Sequence, residues 1–185
     1  MGRPKQLLPL NGTPAIRRCL EAIFSSGIED VIVVLGGPPR HEDARRIRES
    51  ISGLPIRTAI NSATGSDMSE SVRAGLREIA GAPAILVFPA DQPLVAPASI
   101  KLLLEEHERN PRSILIPLFE GRRGHPALFP WELIRGVFDG PCLRDIIRGN
   151  PGRVSLIETG DIGVVLDMDT PEDYRRMLGV LDKNF

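Results

Sequence analysis

The chain has 185 residues, 42% of them apolar and 25% charged, with a formal net charge of -1. These are ordinary values for one soluble globular domain with enough length for a good core. So small a net charge gives no bulk attraction to nucleic acid or to a membrane surface, and no apolar run reaches the length of a membrane span.

No signal peptide is visible at the start, MGRPKQLLPL. The two cysteines, Cys19 and Cys142, make neither a disulfide framework nor a zinc site, which fits a reducing cytoplasm. Internal repeats and low-complexity segments are absent from the sequence.

Residues 1–10 read as a basic loop followed by a short apolar piece, and Asn11-Gly12 as a turn. Thr13 is expected to cap a helix whose first residue is Pro14. Ile16, Leu20, Ile23 and Phe24 share one face of that helix, and Gly27 ends it. Residues 30–35, DVIVVL, are a buried strand leading into Gly36-Gly37-Pro38-Pro39. A charged surface helix over 41–51 and a strand over 56–60 follow. Residues 61–76 begin as a polar, glycine-containing loop and become a helix, with Met68, Val72, Leu76 and Ile79 at helical spacing.

The run 84–88, AILVF, has no polar interruption and suits a strand covered on both faces. Pro89 stops its ladder, because it has no N–H. A helix over 97–108 and a strand over 113–119 come next, then a turn at 120–124 with 125–129 as hairpin partner. Short helices at 131–137 and 143–147 are joined by Asp139-Gly140-Pro141. Strands at 154–157 and 164–166 precede a last helix, 171–181, opened by Thr170, Pro171 and Asp173. Strands separated by helix-length segments predict an α/β fold, with a mostly parallel sheet, helices on both faces and a mixed edge. No linker divides the chain, so 1–185 is expected to be one domain.

Several polar groups fall at the carboxyl ends of the predicted strands, the edge where open α/β sheets bind ligands. They are Gly36-Gly37, Asn61, Asp91, and the pair Asp167 and Asp169. Asp91 is either a ligand for a hard cation such as Mg²⁺ or the opening of a turn before Pro93. Asp167 and Asp169 are two apart and share a face of an extended backbone. Helix entry accounts for Glu172 and Asp173 but less well for these two, which come before the cap. Arg3 reads as a solvated terminal charge. Arg122, Arg123 and Arg144 are anion ligands or surface charges, and His125 between Gly124 and Pro126 is a loop residue at the edge of the site. No Walker loop, dinucleotide fingerprint, HExxH or nucleophile elbow is present.

Five segments in order, MGRPKQLLPLNGTP (1–14), NSATGSDMSESVRAGL (61–76), PADQP (89–93), GHP (124–126) and DMDTPED (167–173), resemble the MobA-like nucleotidyltransferases. Within them the chain is most similar to the molybdenum cofactor cytidylyltransferases. The resemblance implies a three-layer Rossmann-like nucleotidyltransferase fold with a mostly parallel mixed sheet. It implies transfer of CMP from CTP to the phosphate of a molybdopterin-type cofactor, with Mg²⁺ present and pyrophosphate released. It also implies a molybdoenzyme of the xanthine dehydrogenase type as a partner.

By resemblance, Lys5 and Asp91 are catalytic, with Lys5 stabilising charge on the nucleotide phosphates. Gly36, Asn61 and Ser71 belong to the nucleotide side. Asp91 and one of the late aspartates, Asp169 in preference to Asp167, hold the metal, and His125 and Arg144 belong to the acceptor side. The family begins with a strand and a glycine-rich loop of the kind LAAGxSxRMG, and this chain starts at the Met-Gly of that motif. The expectation is therefore a chain without that strand and phosphate loop, from a start placed late or a shortened piece. Sister readings keep the chemistry but change base or acceptor: a guanylyltransferase or a sugar-phosphate nucleotidyltransferase. A rival reading is a non-catalytic chaperone that holds the cofactor for an oxidoreductase.

Overall fold

In a computed structural model, the structure describes residues 4–37, 42–63 and 68–182. Near the start, β1 (Pro9–Leu10) and β2 (Thr13–Pro14) pair antiparallel across Asn11-Gly12. Both turn residues have positive φ, 49° and 82°, the conformation that Asn and Gly tolerate best. This displaces the expected cap. Leu10 pairs with Thr13, so Thr13 serves the hairpin, Pro14 becomes the N-cap without a side-chain bond, and α1 (Ala15–Ser25) starts one residue later. Ile16, Leu20 and Ile23 of α1 are buried, as their spacing predicts.

β3 (Ile32–Gly36) and β4 (Arg57–Asn61) form a parallel pair, with α2 (Glu42–Ser50) between them in sequence. Their register sets Gly36 opposite Asn61, so both sit at the same carboxyl edge. After α3 (Met68–Leu76) comes the apolar strand β5 (Ala84–Val87), then α4 (Pro97–Arg109). The second sheet continues with β6 (Ile114–Phe119), β7 (Arg122–Arg123) and β8 (Ala127–Pro130). Beyond the short helices α5 (Trp131–Ile134) and α6 (Leu143–Gly149), β9 (Val154–Glu158) lies parallel to β6, and α7 (Pro171–Asp182) closes the described chain.

The second sheet runs β5-β8-β6-β7, with β9 on β6, so it is mixed. β8 is not simply the hairpin partner of β6. Glu120 and Gly121 have positive φ and close β6 tightly onto Arg122–Arg123. The chain then crosses to lay β8 between β5 and β6, pairing four residues with β5. All four residues of β8 are buried, which a central position requires. Residues 32–35 and 85–87, expected as buried strands of a mostly parallel sheet, fall in different sheets, and all of them but Leu35 are only partly buried. Among the described residues β3 pairs only with β4, and β5 only with β8.

Strand alternation sorts the core into two sides. Ile114, Ile116, Ala127 and Phe129 pack with Leu76 of α3, Ile134 of α5 and Ile146 of α6. Their neighbours Leu115 and Leu128 turn the other way, onto Leu103 of α4. On that side Ile16, Leu20 and Ile23 of α1 join Val95, Ile100 and Val164, with Val33 of β3 and Leu86 of β5 packed against them. Helices thus cover both faces and make three layers, and both sheets contribute to one core cluster.

Two further segments differ from expectation. Residues 131–137 split into α5 and a 3₁₀ turn, Arg135–Asp139. Residues 164–166 are not a strand; Ile162–Val165 is a 3₁₀ turn. The cause is Asp161, whose carboxylate accepts from the N–H of Gly163 at 2.8 Å and winds the chain there. Among the described residues no helix is long and apolar enough to cross a membrane. Arg3, Pro38, Pro39, His41 and the loop residues Thr64, Gly65, Ser66 and Asp67 lie outside the described residues.

Candidate active site

Asp91 stands four residues beyond β5, past the stop made by Pro89. Its Oδ2 accepts from the Lys5 Nζ at 2.7 Å. The same ammonium donates to Asp169 Oδ1 at 2.6 Å. Lys5 opens a 3₁₀ turn, Lys5–Leu7, whose carbonyl takes the N–H of Leu8. Leu8 in turn receives the N–H of Ala15, which fixes this stretch to the start of α1.

Asp169 reaches the site because the N–H of Met168 donates to the Asp91 carbonyl at 3.0 Å. Met168 is fully buried while Asp167 and Asp169 on either side are exposed, the alternation of an extended backbone. Partial burial opposes the Lys5 charge. The hydrogen bonds to Asp169 and Asp91, with their charges, outweigh it and hold the Lys5 pKa above its ordinary value.

His125 approaches the same place from the β7–β8 connection. Its N–H donates to the Val164 carbonyl at 2.8 Å, and the His125–Pro126 bond is cis. Gly124 lies so close to this backbone that a Cβ would collide with the Val164 oxygen, so the position requires glycine. The imidazole is partly buried, and its Nδ1 is enclosed with no hydrogen-bond partner among the described residues. Burial pushes its pKa down, and the charges of Asp91 and Asp167 only partly oppose this. Lys5, Asp91, Asp169 and His125, predicted from distant parts of the chain, thus converge. The two carboxylates are oxygen groups of the kind Mg²⁺ takes, and here the Lys5 ammonium bridges them. Among the described residues no three His, Cys, Asp or Glu side chains are grouped to enclose a metal alone, so phosphate oxygens would complete such a shell.

Gly36, Asn61 and Ser71 form a second group. The N–H of Gly37 donates to the Asn61 carbonyl at 3.0 Å, and Asn61 Nδ2 donates to Ser71 Oγ at 3.0 Å. Asn61 Oδ1 accepts from the N–H of Ala63. Asn61 is buried, and its amide ties the end of β4 to α3 and to the loop entry. Arg144 is not brought in: it is exposed on α6, and no hydrogen bond or ion pair among the described residues joins it to Lys5, Asp91 or His125. Arg122 and Arg123 are exposed on the β7 hairpin.

Sequence reasoning missed two supporting residues. Asp161 Oδ2 accepts from the Ala96 N–H at 2.8 Å and from Ser99 Oγ at 2.7 Å, while its Oδ1 takes Gly163. One carboxylate thus clamps the segment after Asp91 to the segment before Asp167. A signal was present: Asp two residues before Gly is a common turn former. Cys19 lies behind Asp91, its sulfur near the Gln92 N–H, and burial pushes its thiol up to about 12. A groove of about 420 Å³ lies nearby, lined by Arg18, Glu21, Val95, Asp161, Gly163 and Leu181 among others. Its wall includes none of Lys5, Asp91, His125 and Asp169, so the reactive groups lie outside it.

Residues 1–151 match the MobA-like NTP transferase domain. The chain belongs to the MobA-like NTP transferase family. A nicotine blue oxidoreductase of Paenarthrobacter nicotinovorans is 30% identical over 190 residues, covering 96% of this chain and 90% of that protein. A phosphoenolpyruvate guanylyltransferase of Rubrobacter xylanophilus is 32% identical over 170 residues, covering 88% and 77%. Among solved structures, a nucleotidyl transferase from Methanothermobacter superposes with a TM-score of 0.79 at 23% identity, covering 98% of this chain and 86% of that one. The Mycobacterium tuberculosis protein Rv0371c in complex with manganese gives 0.72 at 24%, covering 96% and 93%. The fold is therefore that of the nucleotidyltransferases. The names in this family range from nucleotide transfer to an oxidoreductase, so membership alone does not name a substrate.

Proposed function

We propose that the protein transfers CMP from CTP to the phosphate of a molybdopterin-type cofactor and releases pyrophosphate. The observation that carries this reading is the Lys5 ammonium set between Asp91 and Asp169, a cation and two carboxylates at one sheet edge. An oxygen of the acceptor phosphate forms the new bond to the α-phosphorus, and the bond from that phosphorus to the bridging oxygen of the departing pyrophosphate breaks. Such chemistry depends on positioning and charge neutralisation rather than on a covalent catalyst.

Lys5 supplies positive charge to the α-phosphate as negative charge gathers there. Asp91 and Asp169 would hold Mg²⁺, which when bound neutralises phosphate charge. The partly buried His125 would offer a hydrogen bond on the acceptor side, and Arg144 would meet an anionic group of the acceptor. Asn61 and Ser71, with the backbone at Gly36, shape the nucleotide side. A molybdoenzyme of the xanthine dehydrogenase type would receive the product, and the chain 1–185 would act as one domain.

A second reading changes the base. The 32% identity to a guanylyltransferase favours GTP, with a different phosphorylated acceptor. The test supplies CTP, GTP and ATP separately with molybdopterin cofactor and measures pyrophosphate. CTP should be preferred, and Lys5→Ala should lose on the order of 10²–10³ in rate while still binding the acceptor. Release with GTP alone would replace the base. No release alongside tight cofactor binding would favour a cofactor-holding chaperone.

A further inference from the structure

Lys5 Nζ lies 2.7 Å from one carboxylate and 2.6 Å from another, in the range of charge-assisted bonds. The carboxylates come from segments far apart in sequence, and the Lys5 ammonium joins them. The function proposed above gives these groups separate partners, phosphate for the lysine and a divalent cation for the acids. The observed contact and those partners compete, because Nζ stands against the very oxygens a hard cation would take. The contact is also accessible: the side chains of Lys5, Asp91 and Asp169 are 29%, 25% and 60% exposed. Exchange at such a rim needs a rotamer change of one flexible side chain and no unfolding.

We infer that Lys5 is an exchangeable counter-ion, which latches Asp91 to Asp169 and releases them when metal and nucleotide enter together. A divalent cation alone must compete with the ammonium for both carboxylates. When nucleotide arrives with it, Lys5 gains phosphate oxygens in place of the acids it leaves. Metal and nucleotide are thereby coupled, each favouring the other, and the coupling runs through one side chain. The latch also keeps two acidic groups from repelling each other before substrate binds.

This inference rests on the metal role proposed for Asp91 and Asp169. The test titrates Mn²⁺ into the full chain and follows the free Mn²⁺ signal by electron paramagnetic resonance, without nucleotide and then with α,β-methylene CTP. Lys5→Met, or Lys5→Gln should the former not fold, removes the charge and keeps the length. Either variant should bind Mn²⁺ alone on the order of tenfold tighter than wild type, the scale of one unit charge near contact at a protein surface. Addition of the analogue should then tighten Mn²⁺ more in wild type than in the variant. Equal Mn²⁺ affinity in wild type and variant, both abolished by Asp91→Asn, overturns the latch and leaves the metal reading standing. Mn²⁺ binding that ignores Asp91→Asn, or that is absent from the Lys5 variants, overturns both.

Discussion

The backbone N–H of Met168 donates to the carbonyl of Asp91 at 3.0 Å. Because this bond is made by backbone, the side chains of Asp91 and Asp169 are free to face the same ammonium. The site is therefore a property of two chain segments held in register, and its residues can be tested separately from their supports.

Asp91→Asn keeps the shape and removes the charge. At limiting Mg²⁺, turnover should fall on the order of 10²–10³-fold, as for other groups that stabilise developing charge. Saturating metal should recover part of the loss. Stability should change little, since the pair with Lys5 is partly exposed and such pairs contribute about 0–1 kcal/mol. Thermal denaturation and steady-state kinetics of the one variant check both statements. Wild-type rates at limiting Mg²⁺ would remove Asp91 from the metal site.

Asp161→Ala should do the opposite. It leaves the N–H groups of Ala96 and Gly163 and the hydroxyl of Ser99 without their shared acceptor. Each unmade bond of this kind costs about 1–3 kcal/mol when the donor is shielded from water. A clear drop in melting temperature is expected, with weaker Mn²⁺ binding through the loosened Asp91–Asp169 contact. Unchanged stability would show that water replaces the clamp.

The two cysteines should separate in reactivity. Burial pushes the Cys19 thiol up to about 12, so almost none of it is thiolate at pH 8. Cys142 is only partly buried, at the start of α6. An aromatic disulfide reagent at pH 8 should therefore count one fast thiol in the native protein and two after denaturation. Two fast native thiols would contradict the enclosed position of Cys19 behind Asp91.

His125 gives a pH signature of known sign. Burial lowers its pKa from 6.5, with Asp91 and Asp167 opposing. Between the native value and 6.5 the unfolded chain binds more protons than the folded one, so stability rises with pH in that window. The contribution is intact above about 6.5, is lost progressively as pH falls, and stops changing below the native pKa. Urea midpoints from pH 7 to 5 should therefore fall more steeply for wild type than for His125→Gln. Parallel slopes would mean the imidazole is not shielded in solution.

The linear order of residues determined much of this protein. Apolar runs at 32–35 and 85–88 and the spacing of Ile16, Leu20 and Ile23 marked strands and a helix, because burial on two faces or one stripe imposes those patterns. Polar residues just past expected strand ends marked Asp91 and Asp169, since open α/β sheets gather such groups at one edge, whereas Lys5 and His125 were marked by the resemblance to the MobA-like nucleotidyltransferases.

What tertiary structure alone decided was pairing. Whether 125–129 lay beside β6 only or between β5 and β6 depended on long-range ladders that no local pattern encodes. The turn at 162–165 depended on the Asp161 carboxylate bonding within its own segment and across to Ala96. The expected metal ligands turned out to share an ammonium. Distances between side chains 86 and 164 positions apart are set by packing and backbone bonds such as Met168 to Asp91, not by periodicity.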